Sequence, residues 1–333
     1  MRVLVLALLA LVLATTGERT TLRCPNDASL GSVRFTRAGH EHVVTFATCA
    51  DRIGGPAPRA VARTTIRSPD GRLTAAIKTS GSGRTAKQTI WITDRRTHRS
   101  RPVFSETQYY KQIGPGDTPG PIVLLRLSAD DGWLLFTIDP GGSGSIAADG
   151  LVLRVVSTSG GRVHKLGVAL AYPDYLAWCN GRLVYVGGSD RIAIHAKRLL
   201  VASPPSWRPR PLWGDRSRSF ASPACAPAGG AVAVLSQRSN IDANFFATRW
   251  QLWRVGLDGS LRELDAPPRG WADEAPQWSR DGRSILFVRE WKGYGRVMLL
   301  RDGRLYGPIA NLGYALGYYG HHDWGLRWSA GSP

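Results

Sequence analysis

The sequence predicts an all-β fold, a six-bladed β-propeller of four-stranded antiparallel blades, and three observations carry that prediction. A strand–turn–strand cassette recurs along the chain, with turn glycines at 71, 132, 181, 229 and 282, spaced by 61, 49, 48 and 53 residues. Each cassette is followed by a further β-like run and often by a shorter fourth one. Four short strands per roughly 50 residues is the period of a propeller blade rather than of a sandwich. Outside the first fourteen residues no window sustains a helical period.

The cassette is clearest over Pro276–Glu290, where Ser279-Arg-Asp-Gly282 separates Pro276-Gln-Trp278 from the apolar run Ile285-Leu-Phe-Val288. Asp-Gly between two β-prone runs is a strong hairpin signal, because glycine takes positive φ without a Cβ clash. Equivalent turns are Ser68-Pro-Asp-Gly71, Ser128-Ala-Asp-Asp-Gly132, Trp178-Cys-Asn-Gly181 and Ala226-Pro-Ala-Gly229. Third strands are expected at Thr89–Thr93, Leu151–Val156, Trp250–Val255 and Arg296–Leu300. Trp178, Trp278 and Trp328 stand 100 and 50 residues apart, so Trp328-Ser-Ala marks a sixth copy cut short. Ser32–Thr36 and His42–Ala47 read as strands without a cassette of their own. Joining them to Gly325–Ser329 completes a closing blade shared by the two ends of the chain and removes an unpaired edge. Five and seven blades are the alternative counts.

With its upstream Trp and following apolar strand, the Ser-Pro-Asp-Gly cassette resembles the TolB-type propeller repeat, which is related to the propeller repeats of prolyl oligopeptidases. The resemblance covers residues about 60–330, with good copies at 66–77 and 276–289 and degenerate ones at 178–186 and 225–235. It implies the propeller and almost nothing about activity, since function is carried by sites grafted onto a fold.

Met1-Arg2 followed by the apolar run Val3–Ala14 reads as a secretory signal peptide over 1–14, too short to span a bilayer and without a lipoprotein cysteine context. The expected organisation is that leader, an N-terminal extension over 15–30 tied by a disulfide, and a single propeller domain over 31–333. The expected location is secreted or on the exterior of the cell envelope, including the periplasm. Four cysteines in an exported chain imply two disulfides. Of the three pairings, the repeat selects Cys24–Cys49, bracketing the start of the closing blade, and Cys179–Cys225, on neighbouring inner strands. Closing the first loop removes on the order of 3 kcal/mol of unfolded-state entropy. No Cys-x-x-Cys spacing suggests a metal site in these residues.

Forty-three basic residues, only six of them lysine, stand against 25 acidic ones, for a net charge of +18. Arginine dominance fits a codon-biased genome, but the field still attracts polyanions such as envelope polymers and makes peripheral contact with anionic lipid head groups feasible. Asp94–Arg101 is the densest basic run and falls at a hairpin tip. No nucleic-acid motif accompanies it, so no specific nucleic-acid partner is expected.

One set of propeller connections is long and aromatic, the set between blades and between second and third strands. It carries Tyr109, Tyr110, Arg216, Arg218, Phe245, Trp271, Trp291, Tyr294, Tyr318 and Tyr319, the candidate binding residues. Aromatic and arginine side chains on loops of a rigid scaffold are typical of binding faces. Catalytic signatures are scarce: Gly141-Gly-Ser-Gly-Ser145 fails as a nucleophile elbow, and there is no P-loop or dinucleotide fingerprint. His40 and His42, on one face of a strand, with His321, His322 and Asp323, are the candidate metal ligands, although a hairpin tip and unrelated loop histidines explain them more simply. The reading is an exported, monomeric, non-catalytic propeller, without cofactor or metal, that binds a protein or an anionic envelope polymer. The alternative is a propeller hydrolase or lyase acting on a sugar or peptide at an axial channel, where Arg67, Arg126 and Arg327 are the expected inward-pointing residues.

Overall fold

Why the repeated cassette makes a hairpin is visible in its hydrogen bonds. In a computed structural model that describes residues 23–56, 64–82, 86–107, 122–138, 150–188, 192, 194–240, 249–317 and 321–329, three copies close in the same way. Ser68 Oγ donates to Asp70 Oδ1 at 2.6 Å and accepts the Leu73 N–H at 2.9 Å, while the same Asp70 oxygen accepts the Arg72 N–H at 2.9 Å. Ser128–Asp130–Trp133 and Ser279–Asp281–Ser284 repeat the arrangement. The serine and aspartate thus satisfy backbone groups that the tight turn strands. Gly71, Gly229 and Gly282 sit at φ of +73°, +69° and +72°. In the second copy the left-handed residue is Asp131 (φ +59°) rather than Gly132. The extra residue of Ser128-Ala-Asp-Asp-Gly132 shifts that role, and Asp131 forms an ion pair with Arg72 of the preceding copy at 2.9 Å.

The strands group into antiparallel sheets in chain order. β1 (Ser32–Arg37), β2 (His40–Thr45) and β3 (Asp51–Pro56) begin the first. β4 (Thr65–Arg67), β5 (Leu73–Ser80), β6 (Lys87–Asp94) and β7 (Ser100–Thr107) form a four-stranded sheet. β8 (Ile122–Leu127), β9 (Trp133–Ile138), β10 (Leu151–Ser157) and β11 (His164–Ala169) share one sheet with β12 (Leu176–Cys179), β13 (Arg182–Gly187), β14 (Arg198–Ala202) and β15 (Arg210–Pro211). Its two halves touch through a single pair, Ala169 with Gly187. β16 (Arg218–Cys225), β17 (Ala231–Arg238), β18 (Gln251–Gly256) and β19 (Leu261–Asp265) form the next sheet. β20 (Ala272–Trp278), β21 (Ser284–Trp291), β22 (Tyr294–Arg301) and β23 (Arg304–Tyr314) form the last. The only helical segments among the described residues are the 3-10 turns Ala28–Leu30 and Pro173–Tyr175.

β24 (Arg327–Ser329) does not extend the last sheet; it pairs with β1, so the first sheet runs β24-β1-β2-β3. Ser32, Val33 and Arg34 face Ser329, Trp328 and Arg327 in register. Trp328 Nε1 donates to the Leu30 carbonyl at 2.7 Å, and its ring packs 5.8 Å from Phe46. Arg301 of β22 pairs with Asp27, tying the segment before β1 to the last sheet. The two ends of the chain therefore meet in one sheet, as the repeat implies.

Buried side chains join neighbouring sheets. One cluster packs Val33, Phe35 and Val44 against Leu286, Val297 and Leu299. Another runs from Val184 through Val234 to Phe287, and two more join β5–β7 to β8–β9 and β8–β11 to β12–β14. Both expected disulfides are present: Cys24–Cys49 ties the segment before β1 to the connection between β2 and β3, and Cys179–Cys225 bolts β12 to β16. The 1–14 leader and the 141–145 loop lie outside the described residues.

Replacing Trp328 by Ala removes an anchoring ring and the Leu30 hydrogen bond. The expected loss is about 2–4 kcal/mol of unfolding free energy, read as a lowered denaturant midpoint at unchanged slope. An unchanged midpoint would contradict the anchoring role.

Candidate functional site

At one end of β20–β23, side chains that ordinarily avoid water stand in it. Trp291 is 41% exposed, Tyr294 53%, Tyr314 58% and Leu316 77%. The β21–β22 hairpin places them. Trp291 pairs with Tyr294 across the turn, and Tyr294 pairs with Tyr314 on β23. Gly293 between them has φ +85°, and a Cβ there would lie 2.5 Å from Tyr314 Cε2, so only glycine lets the tyrosine close over the turn. Glu290, buried beneath, accepts the Gly293 N–H, and burial raises its pKa above the ordinary value.

The rings form a layer with cations on it. Trp271, just before β20, stacks on Trp291 with centroids 6.0 Å apart and planes 30° apart. The Arg296 guanidinium lies 4.9 Å from the Trp271 centroid, and the Lys292 ammonium 4.9 Å from that of Trp291. Tyr294 and Tyr314 meet at 5.4 Å. Rings and cations at this spacing attract one another through the ring quadrupole.

Behind the layer the sheet is stiffened by buried charge. Arg289 forks onto Asp273, with Nε to Oδ1 at 2.8 Å and Nη2 to Oδ2 at 3.2 Å, and also pairs with Asp265. Burial raises the Asp273 pKa to about 7 against the opposing pull of Arg289. The segment between β23 and β24 is pinned across the same end. His322 Nδ1 lies 3.0 Å from Glu274 Oε1, and Trp324 Nε1 donates to Glu274 Oε2 at 2.6 Å. His321 Nε2 lies 3.0 Å from both oxygens of Asp174, with its ring stacked 3.8 Å from Tyr172.

Ser222 completes the second contact, its Oγ donating to Asp174 Oδ2 at 3.0 Å. Serine, carboxylate and imidazole are thus together, but the hydroxyl meets the carboxylate and not the imidazole. A nucleophilic serine needs the opposite order, with the imidazole as its base. The adjoining cavity, bordered by Tyr175, Ser222, Glu274 and both histidines, is about 10 Å³, room for no more than a water molecule.

The candidate residues divide in position. Trp271, Trp291 and Tyr294 come together in the ring layer. Arg216 is exposed in the turn before β16. Arg218 is wedged between Trp213 and Trp253, at 5.3 and 5.1 Å, and donates to Ser236 and Gln251. Tyr109, Tyr110, Phe245, Tyr318 and Tyr319 lie outside the described residues. Of the residues expected to point inward, Arg67 and Arg327 are exposed, and Arg126 donates to the Leu176 carbonyl at 2.6 Å.

The four histidines do not share a face. His40 and His42 share a face of β2, which pairs with β1 in unbroken register, but His40 is exposed at the hairpin end and His42 is buried. His42 stacks on Phe35 and meets Asp51 at 2.9 Å. His321 and His322 have separate carboxylates, and among the described residues no group of three or more potential ligands is placed to hold a metal. Tyr314, Leu316 and Asp174 were missed by the sequence reading. Tyr314 had a signal, as an aromatic within the Gly-Tyr-rich stretch before 317, whereas Asp174 had none.

Burial opposes the charged forms of His321 and His322, but Asp174 and Glu274 outweigh it and raise both pKa values above 6.5. A group with a raised folded pKa adds stability at low pH and loses it as pH rises through the folded value. Asp273 loses its contribution between about 4 and about 7, and the histidines lose theirs above about 6.5. The melting temperature is therefore expected to fall by about 3 °C or more between pH 6 and 8.5. The double substitution His321→Asn/His322→Gln should flatten the upper part of that slope. An unchanged slope in the double variant would refute the assignment.

No protein-family model matches the sequence, and no curated protein matches it. Several solved structures are similar over most of its length. The TolB-assigned protein of Agrobacterium tumefaciens is 16% identical, with TM-score 0.48, covering 90% of this chain and 98% of its own. TolB from Acinetobacter baumannii is 14% identical, with TM-score 0.46, covering 84% of this chain and 63% of its own. The β-propeller domain of the Trilobed protease from Pyrococcus furiosus is 13% identical, with TM-score 0.44, covering 80% and 73%.

Proposed function

We propose that this chain is an exported, non-catalytic β-propeller, six four-stranded blades over 31–333 closed into a ring at the β24–β1 pairing, that binds a protein through the ring layer at 271–316. Two disulfides favour an oxidising compartment. Counting each half of the eight-stranded sheet as one blade supports the six-blade arrangement.

The single observation that carries the binding role is the exposure of Trp291, Tyr294 and Tyr314 on adjoining strands, with Leu316 exposed two residues further along the chain. Clustered exposed rings on a soluble scaffold mark an interaction surface, and Trp, Tyr and Arg are the residues that dominate interface energetics. Lys292 and Arg296 beside the rings select a partner whose apolar patch has an acidic rim. Gly293, Glu290 and the Arg289 ion cluster hold the rings in place before binding, which lowers the ordering cost. An anionic envelope polymer would meet the same two cations but would leave Leu316 and the tyrosine faces less used.

The triple substitution Trp291→Ala/Tyr294→Ala/Tyr314→Ala is expected to weaken capture of the partner from a native envelope extract by about 30-fold or more, with little change in melting temperature. Protease treatment of the extract should abolish capture. Capture that survives protease indicates the polymer, and capture unchanged by the triple substitution contradicts the site.

A further inference from the structure

The opposite end of the β20–β23 sheet has a different character. The eight-residue strand β21 separates the two ends, roughly 25 Å at the usual rise per residue. A cleft of about 400 Å³ opens there between β18–β19 and the turns of the last sheet, within the range of small-molecule sites. Arg254, Arg262 and Arg283 line it, with Trp278 and Leu264 among the apolar residues and Asp302 as the one carboxylate.

Arg254 and Arg262 are partners across the β18–β19 pairing. Like charges directly opposite in a sheet destabilise it, and among the described residues neither guanidinium has an ion-pair or hydrogen-bond partner. Asp258, in the intervening turn, feels the Arg254 charge, but its Oδ1 accepts from the Ser260 N–H and Oγ at 2.9 and 2.7 Å. Arg283 is held by Asp302 through Nε and Nη2 at 3.3 and 2.9 Å. The lining therefore carries two positive charges in excess of its carboxylate. Trp278 is fixed by its Nε1 hydrogen bond to the Ala224 carbonyl at 3.0 Å. At the rim, Gly282 and Gly303 occupy left-handed turn positions and contribute no side chain that blocks entry.

We propose that this cleft binds a phosphomonoester on a sugar or small polyol, the phosphate held by Arg254, Arg262 and Arg283 and the carbon skeleton lying against Trp278 and Leu264. A phosphomonoester carries a charge of about −1.5 to −2 at neutral pH and three acceptor oxygens, which matches the excess charge of the lining. Guanidinium forks match the oxygens of such an anion, which carries more charge and one more acceptor oxygen than a single carboxylate. The ligand also relieves the repulsion between the two opposed arginines. Its source can be a free sugar phosphate or a phosphorylated end group of an envelope glycan.

Calorimetric titration of the full disulfide-bonded protein with glucose 6-phosphate tests this, with inorganic phosphate, glucose and glucuronate as companions. Saturable one-to-one binding is expected, weakened about 10-fold or more by Arg254→Ala, Arg262→Ala or the milder Arg254→Gln. Inorganic phosphate should bind about 10-fold more weakly, and glucose not measurably. The arginine variants should melt at or above the wild-type temperature. The Trp291/Tyr294/Tyr314 triple substitution should leave this binding unchanged, which separates failure here from failure at the ring layer. Adding a phosphorylated glycan as competitor distinguishes a chain-end source from a free one, by whether it binds more tightly than glucose 6-phosphate. No saturable binding, binding indifferent to the arginine substitutions, or glucuronate bound as tightly as glucose 6-phosphate would each overturn the proposal.

Discussion

Three backbone pairs between β24 and β1 hold together residues that lie almost a full chain length apart. Such a contact is entropically expensive to form and is worth having only if it removes an exposed sheet edge. It does so, because β1 would otherwise present an unpaired edge beside the last sheet. The Trp328 hydrogen bond to Leu30, the Arg301–Asp27 ion pair and the Cys24–Cys49 disulfide all reinforce the same seam. The segment that carries His321, His322 and Trp324 is strung between β23 and β24. Its contacts with Asp174 and Glu274 therefore depend on where β24 is anchored.

Much of the fold was legible because it is local. A serine two residues before an aspartate closes the turn with hydrogen bonds that span five residues, so the motif and its geometry coincide at Ser68, Ser128 and Ser279. The shared first sheet was legible for a different reason: a truncated copy at Trp328 and strands without a cassette at 32–47 complement each other. The disulfide pairing followed from alignment of Cys179 and Cys225 within the repeat.

The site was legible only where side chains are local to one hairpin. Trp271, Trp291 and Tyr294 were identifiable as loop aromatics, and they do lie together. Partners brought in by tertiary structure were not. Asp174 meets His321 across 147 positions, and no pattern near either residue indicates the other. Arg218 reads as a loop cation in sequence, yet Trp213 and Trp253 close on both sides of it. His40 and His42 do lie on one face of β2, but His42 is buried against Phe35 and Asp51 while His40 stands exposed at the hairpin end, away from His321 and His322 and their carboxylates. Ring packing and carboxylate partners depend on neighbouring strands, which a linear pattern does not encode.

The last sheet thus carries exposed rings at one end, while its other end borders the cleft into which the opposed Arg254 and Arg262 of the preceding sheet project. Its position relative to the start of the chain rests on the seam. Amide hydrogen exchange resolved to residues 32–34 and 327–329 tests that seam most directly. The expected result is protection of both stretches to a similar degree, lost together when Trp328 is replaced by Ala, while the β21–β22 amides stay protected. Fast exchange at 327–329 in the native protein, with 32–34 unaffected, would contradict it.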